Sequence, residues 1–179
     1  SQNPSMLRER YLEAHDLVIR AWTEKDTFAF NGRFNQQRYV NIWPRPVQKP
    51  HPPIWVGGKT DAALRRVARL GDGWNGILLS PDEVAELRKR LEKHLSDKGR
   101  KLSDVKTALT QNVYWGEAKK AADGGRLSLT GSTDEMADDL KRYEQAGLDH
   151  IIMSMSADDT KDTVEQLERF ASDVLTKVK

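Results

Sequence analysis

The chain has 179 residues, 31% of them charged, with a net charge of only +2 and no cysteine. The length is enough for one domain with a sizeable core. The near-balance of interspersed charges argues against a nucleic-acid partner, and the lack of cysteine excludes disulfides and thiolate metal sites. No apolar run approaches the roughly 20 residues of a membrane helix, and the opening SQNPSMLRER lacks an apolar signal core, so a cytoplasmic protein with no membrane partner is expected.

In chain order, Asn3 and Pro4 suit the cap and first turn of a helix whose apolar stripe is Leu7, Tyr11, Val18, Ile19 and Trp22. The phrase TFAFNGRFNQ reads as a small hairpin, with Phe28 and Phe30 alternating, a tight turn at Asn31-Gly32 and Phe34 beyond it. Residues 44–53 are rich in proline and favour an extended path.

From Ile54 the rhythm becomes strand, helix, strand, helix. A strand at 54–56 leads into a helix at 60–70, capped by Thr60 and stopped by Gly71, with Leu64, Val67 and Ala68 inward. A strand at 73–78 follows. Ser80-Pro81-Asp82-Glu83 then opens the next helix as a capping box, with Val84, Leu87, Leu91 and Leu95 as its stripe. A strand at 106–115 precedes a loop at 116–131. A second capping box, Ser132 with Glu135, starts a helix that buries Met136, Leu140 and Tyr143 and ends at Gly147. The strand 150–155 and a helix at 160–177, lined by Val164, Leu167, Phe170 and Val174, complete the series. Four β/α units in a row imply an α/β fold with a parallel sheet and right-handed crossovers.

The phrases RERYLEAHDLVIRAW, FNGRF, WPRPVQKPHPPIWVGG, ALRRVARLGDGW and GSTDEMADDLKRYEQAGLDHII together resemble the bacterial luciferase-like monooxygenase family over nearly the whole chain. The resemblance implies a (β/α)8 TIM-barrel fold and a flavin cofactor. The Trp-Pro-Arg-Pro wording is similar to the FMN branch, with a deazaflavin, or no bound cofactor, as the alternatives. It implies oxidation of a substrate with molecular oxygen, reduced flavin being delivered by a reductase.

A full barrel takes about 250 residues, and the resemblance covers only a C-terminal half. The family's proposed catalytic histidine belongs to the other half, so no catalytic residue is assigned. The expectation is a half-barrel with four parallel strands and flanking helices over residues 1–179, divided into a lead-in at 1–53 and four β/α units at 54–179. A half-barrel has two bare edges and an open inner face. A homodimer is therefore expected, or union with a separate N-terminal half. The alternatives to an enzyme acting alone are one subunit of a split enzyme and a non-enzymatic scaffold, natural or engineered.

A strand–Gly-Gly–helix junction gathers backbone N–H groups and a helix N-terminus at one point, which suits a phosphate. Gly57, Gly58, Lys59 and Thr60 form that junction, and the resemblance places the cofactor phosphate there. It also places Gly73, Trp74 and Asn75 near the cofactor. The competing reading makes the first four residues a tight turn with a surface lysine and a helix cap, and Trp74 a core residue. Gln111 and Asn112 lie on opposite faces of their strand, and an edge strand facing water is the favoured reading. Met153 and Met155 read as core filler. His15, His51, His94 and His150 show no metal-ligand spacing. Arg45 and Arg126 read as unpaired surface arginines.

Overall fold

The computed structural model describes residues 4–121, 124–155 and 159–178, so the Asn3 cap lies outside the described residues. The chain divides into two compact units between Pro53 and Ile54.

The first unit holds helix α1 (Pro4–Thr23) and an antiparallel pair, β1 (Phe28–Asn31) and β2 (Gln36–Val40). The hairpin turn is longer than the sequence suggests. Phe34 lies in the connection and the second strand begins at Gln36. The reason is Glu13 of α1. Its carboxylate accepts the backbone N–H groups of Arg33 at 2.7 Å, Phe34 at 2.9 Å and Asn35 at 2.6 Å. Donors satisfied by a carboxylate need no strand partner. Burial raises the Glu13 pKa, but the bonds from Asn35, Phe34 and Arg33 outweigh it, and the net shift is downward. The α1 stripe stays largely open: Leu7, Tyr11 and Val18 are exposed.

The second unit is a parallel sheet with helices on one face. Its strands are β3 (Trp55–Gly57), β4 (Gly73–Ile77), β5 (Lys106–Trp115), β6 (Thr130–Gly131) and β7 (His150–Met155). β4 and β7 both pair with β5, β3 pairs with β4, and β6 adds two residues at the end of β5. Four strands match the sequence pattern. The fifth, β6, interrupts the segment expected to be loop. It is held by Asp139, which is buried, accepts the Leu129 N–H at 2.7 Å and pairs with Arg126 at 2.6 Å.

The helices α2 (Asp61–Leu70), α3 (Pro81–Ser96), α4 (Thr133–Gln145) and α5 (Thr160–Asp173) follow the strands. Thr60 caps α2, and complete capping boxes at Ser80/Glu83 and Ser132/Glu135 open α3 and α4. Gly147 follows α4 at φ +81°, the left-handed conformation that ends a helix without a Cβ penalty. The core joins Leu64, Val67, Val84, Leu91, Leu95, Met136 and Tyr143 of the helices to Val56, Trp74, Leu109 and Val113 of the sheet. In α5 only the end of the expected stripe is inside. Phe170 is buried, as is Val174 just past the end of the helix, which stops at Asp173 short of the expected 177, whereas Val164 and Leu167 are 47% and 49% exposed. Periodicity names a face but not what lies opposite it.

Candidate functional site

Alternation along the strands sorts the sheet into two faces. Val56, Trp74, Leu109, Gln111 and Val113 face the helices and are buried, and Met153 and Met155 pack against the same core. The opposite face carries Trp55, Gly57, Asn75, Ile77, Thr110, Asn112, His150, Ile152 and Ser154. Among the described residues of the second unit, no helix covers it. Trp55 is 42% exposed, and Ile77 and Ile152 are each 54% exposed. Among the described residues β3 and β7 each pair on one side only.

This open face is graded along the strands. At the N-terminal end the Trp55 ring lies over Gly73, where any Cβ would collide with it. The same ring meets His150 edge-on, with centroids 6.0 Å apart. One register step onward Gly57 is opposite Asn75, whose amide donates to Thr110 Oγ1 at 3.2 Å. Ile77, Ile152, Asn112 and Ser154 lie farther toward the C-terminal ends.

The turn after β3 is built in detail. Gly58 has φ +118°, a conformation that disfavours any side chain. Both its backbone groups are committed: its N–H donates to the Asn75 carbonyl at 3.2 Å, and its carbonyl accepts the Trp74 indole Nε1–H at 2.8 Å. The Thr60 hydroxyl accepts the Ala63 N–H at 3.3 Å. The N–H groups of Lys59, Thr60, Asp61 and Ala62 find no acceptor among the described residues. They are the usual orphan donors of a helix start, and they sit at the positive end of the α2 dipole. Lys59 and Thr60 are exposed there.

Asp61 is the first residue of α2, where a carboxylate would oppose an incoming anion. It is occupied instead. Arg90 donates to it at 2.9 Å, His94 Nε2 lies 3.0 Å away, and Arg65 pairs with it from the next turn. The bonds from Arg90 and His94 hold its carboxyl far below the usual carboxylate range. Its partners Arg90 and His94 both come from α3.

Placement revises several sequence expectations. Gly57 ends β3 and Lys59 and Thr60 form the adjoining turn, whereas Asn75 lies mid-strand on the open face beside Gly57. Gly58 contributes conformation and not a donor, since its N–H is spent on the sheet. Trp74 is fully buried on the helix side, so its ring has no surface to offer a cofactor. Gly73 is covered by Trp55. β5 is central and not an edge strand, which puts Gln111 in the core and Asn112 on the open face. Arg126 and Arg45 are both engaged, Arg126 with Asp139 and Arg45 with the backbone carbonyls of Glu24 and Lys25. Among the described residues no group of three or more His, Asp or Glu could hold a metal ion, and no helix is long and apolar enough to cross a membrane. Thr110, His150 and Ile152 were legible only as alternating strand positions. Their convergence needs the register.

The family model for luciferase-like monooxygenases matches residues 2–145. The chain belongs to the luciferase-like monooxygenase family. Among its curated relatives, an uncharacterized protein of Mycobacterium tuberculosis is 31% identical over 169 residues, 90% of this chain and 50% of that protein. The chain thus spans about half the length of such relatives. An FMNH2-dependent dimethylsulfone monooxygenase of Pseudomonas putida is 38% identical over 68 residues, 36% of this chain and 18% of that one. Among solved structures, an F420-dependent secondary alcohol dehydrogenase in complex with an F420-acetone adduct superposes with a TM-score of 0.73 at 12% identity, covering 100% of this chain and 64% of that chain. At that identity the likeness is one of fold: the sheet and helices of this luciferase-like chain follow the arrangement found in the longer enzyme.

Proposed function

We propose that this chain forms the phosphate-holding part of a flavin-dependent monooxygenase and that the turn from Gly57 to Ala62 takes the phosphate of FMN. The observation that carries the reading is the set of open N–H groups on Lys59, Thr60, Asp61 and Ala62, grouped at a helix start beside a strand end without a side chain. Gly57 is the second support. A Cβ added there would have its nearest neighbour, the Asn75 carbonyl, at 3.8 Å, and the residue does not adopt positive φ. The fold itself does not need glycine at 57, so the bare surface is available to a ligand. The residues therefore fit the group.

Bound reduced flavin would supply the two electrons needed to activate oxygen. The chain's own part is binding and orientation. The Lys59–Ala62 amides and the Lys59 ammonium hold negative charge. The Asn75 amide and Thr110 hydroxyl present polar groups one step inward. Trp55 with His150 closes the N-terminal end. FMN is favoured over a deazaflavin by the FMNH2-dependent relative, which shares the higher local identity.

The exposed Trp55, Ile77 and Ile152 and the bare edges of β3 and β7 favour an assembly in which a second copy, or a chain carrying further strands, covers the open face. Equilibrium dialysis against FMN and riboflavin tests the function. Retention of FMN in clear preference to riboflavin is expected. Equal retention of the two, or of neither, contradicts it. Size-exclusion chromatography with light scattering tests the assembly, and a monomer at micromolar concentration with FMN present would refute it.

A further inference from the structure

We infer that Trp74 is a positioning residue for the phosphate turn: its buried indole N–H sets the orientation of the Gly58 peptide, and with it the direction of the amides that follow. The inference rests on the reading of that turn as a flavin-phosphate site.

The geometry is specific. Trp74 is the largest fully buried side chain among the described residues. An indole has one donor and no acceptor. Its Nε1–H is spent on the Gly58 carbonyl at 2.8 Å, a bond that joins β4 to the β3–α2 turn. The Gly58 N–H is fixed by the Asn75 carbonyl. The peptide units on either side of Gly58 are thus pinned by neighbouring residues of one strand, Trp74 and Asn75. Gly58 sits at φ +118° between those two pins, a backbone state that glycine leaves readily. Packing alone does not require the polar contact, since a phenyl ring would keep an apolar side chain in the core cluster that Trp74 shares with Val56, Leu79 and Leu109. An indole whose N–H reaches the carbonyl just before the open amides has a directing role. Anion sites made of backbone N–H groups depend on such fixed orientation, because a turn already aimed at its ligand incurs no ordering cost on binding.

The test separates positioning from mere support. Trp74→Phe removes the donor and keeps most of the ring. The dissociation constants for FMN and riboflavin are measured for the unaltered chain and for the variant, with thermal melting as a check on folding. The expected result is a loss of FMN affinity of about five- to tenfold, the scale of one net hydrogen bond, with riboflavin binding unchanged. An equal loss for both ligands would show a structural role only and overturn the inference, as would an unchanged FMN-to-riboflavin ratio. If the unaltered chain shows no FMN preference, the functional reading itself fails and the inference falls with it. Should the phenylalanine variant lose its cooperative melting, incorporation of benzothienylalanine at position 74 decides the matter. That side chain keeps the shape of tryptophan and replaces the N–H with sulfur, and the same shift in ratio is expected.

Discussion

Asp61, at the start of α2, accepts a hydrogen bond from Arg90 of α3 at 2.9 Å. This pair joins the two helices that flank β4 and withdraws negative charge from the helix start that carries the open amides. His94 lies 3.0 Å from the same oxygen. The depressed Asp61 pKa gives the arrangement a pH signature. A carboxyl with a lowered folded-state pKa contributes stability that is complete above its unfolded value, about 3.9, and is lost as pH falls toward the folded value. Urea midpoints measured between pH 7 and pH 2.5 are expected to fall on the acid side, and Asp61→Asn to flatten that fall. Parallel curves for the two proteins would mean that the pair contributes nothing to the acid limb.

The Glu13 carboxylate makes the corresponding prediction in the first unit. Its pKa is also lowered, so its hold on residues 33–35 is complete above about pH 4.3 and weakens as acid is added. Glu13→Gln should accelerate amide hydrogen exchange at Arg33, Phe34 and Asn35 at neutral pH, and leave exchange in α3 unchanged. Equal rates at the three amides would contradict the assignment.

Two apolar helix positions that look alike in sequence are expected to behave differently. Leu91 is fully buried among the α3 core residues. Leu91→Ala should cost about 2–5 kcal/mol. Val164 of α5 sits on the same kind of periodic stripe but is 47% exposed, and Val164→Ala should stay within about 0.5 kcal/mol. Chemical denaturation of the two variants, with slopes checked for equality, measures the difference.

Tyr143 ties α4 to the sheet. Burial raises its pKa, and its hydroxyl donates to the Leu79 carbonyl at 2.5 Å while accepting from the buried Gln111 amide at 3.1 Å. Removing the hydroxyl in Tyr143→Phe leaves both partners short of a bond in the core. The expected cost is about 1–3 kcal/mol, read from the unfolding midpoint. A neutral substitution would show that the network carries no stability.

Much of the fold was legible because its signals are local. The capping boxes at Ser80 and Ser132, the stop at Gly147 and the stripes of α2, α3 and α4 all depend on residues within a few positions of one another. The strand–Gly-Gly–helix junction at 55–61 was legible for the same reason. What sequence could not supply was contact at a distance. Glu13 reaches across about twenty positions to lengthen the hairpin turn, and Asp139 holds the strand β6 from the following helix. Trp74 illustrates the point within the site. Its position near Asn75 made it a cofactor contact by resemblance, but strand parity turns it toward the helices, where it supports the turn from behind. The open face of Trp55, Asn75, Thr110 and His150 likewise exists only once register sets four strands side by side.

Whether the amides at the start of α2 hold a flavin phosphate can be read residue by residue from amide chemical shifts. The 15N-labelled chain is titrated with FMN and, separately, with riboflavin. The Lys59, Thr60, Asp61 and Ala62 amides are expected to shift on adding FMN and to stay in place with riboflavin, while the Gly58 amide, already bonded to Asn75, moves little. FMN-induced shifts confined to other parts of the chain, or identical shifts with both ligands, would contradict the phosphate site.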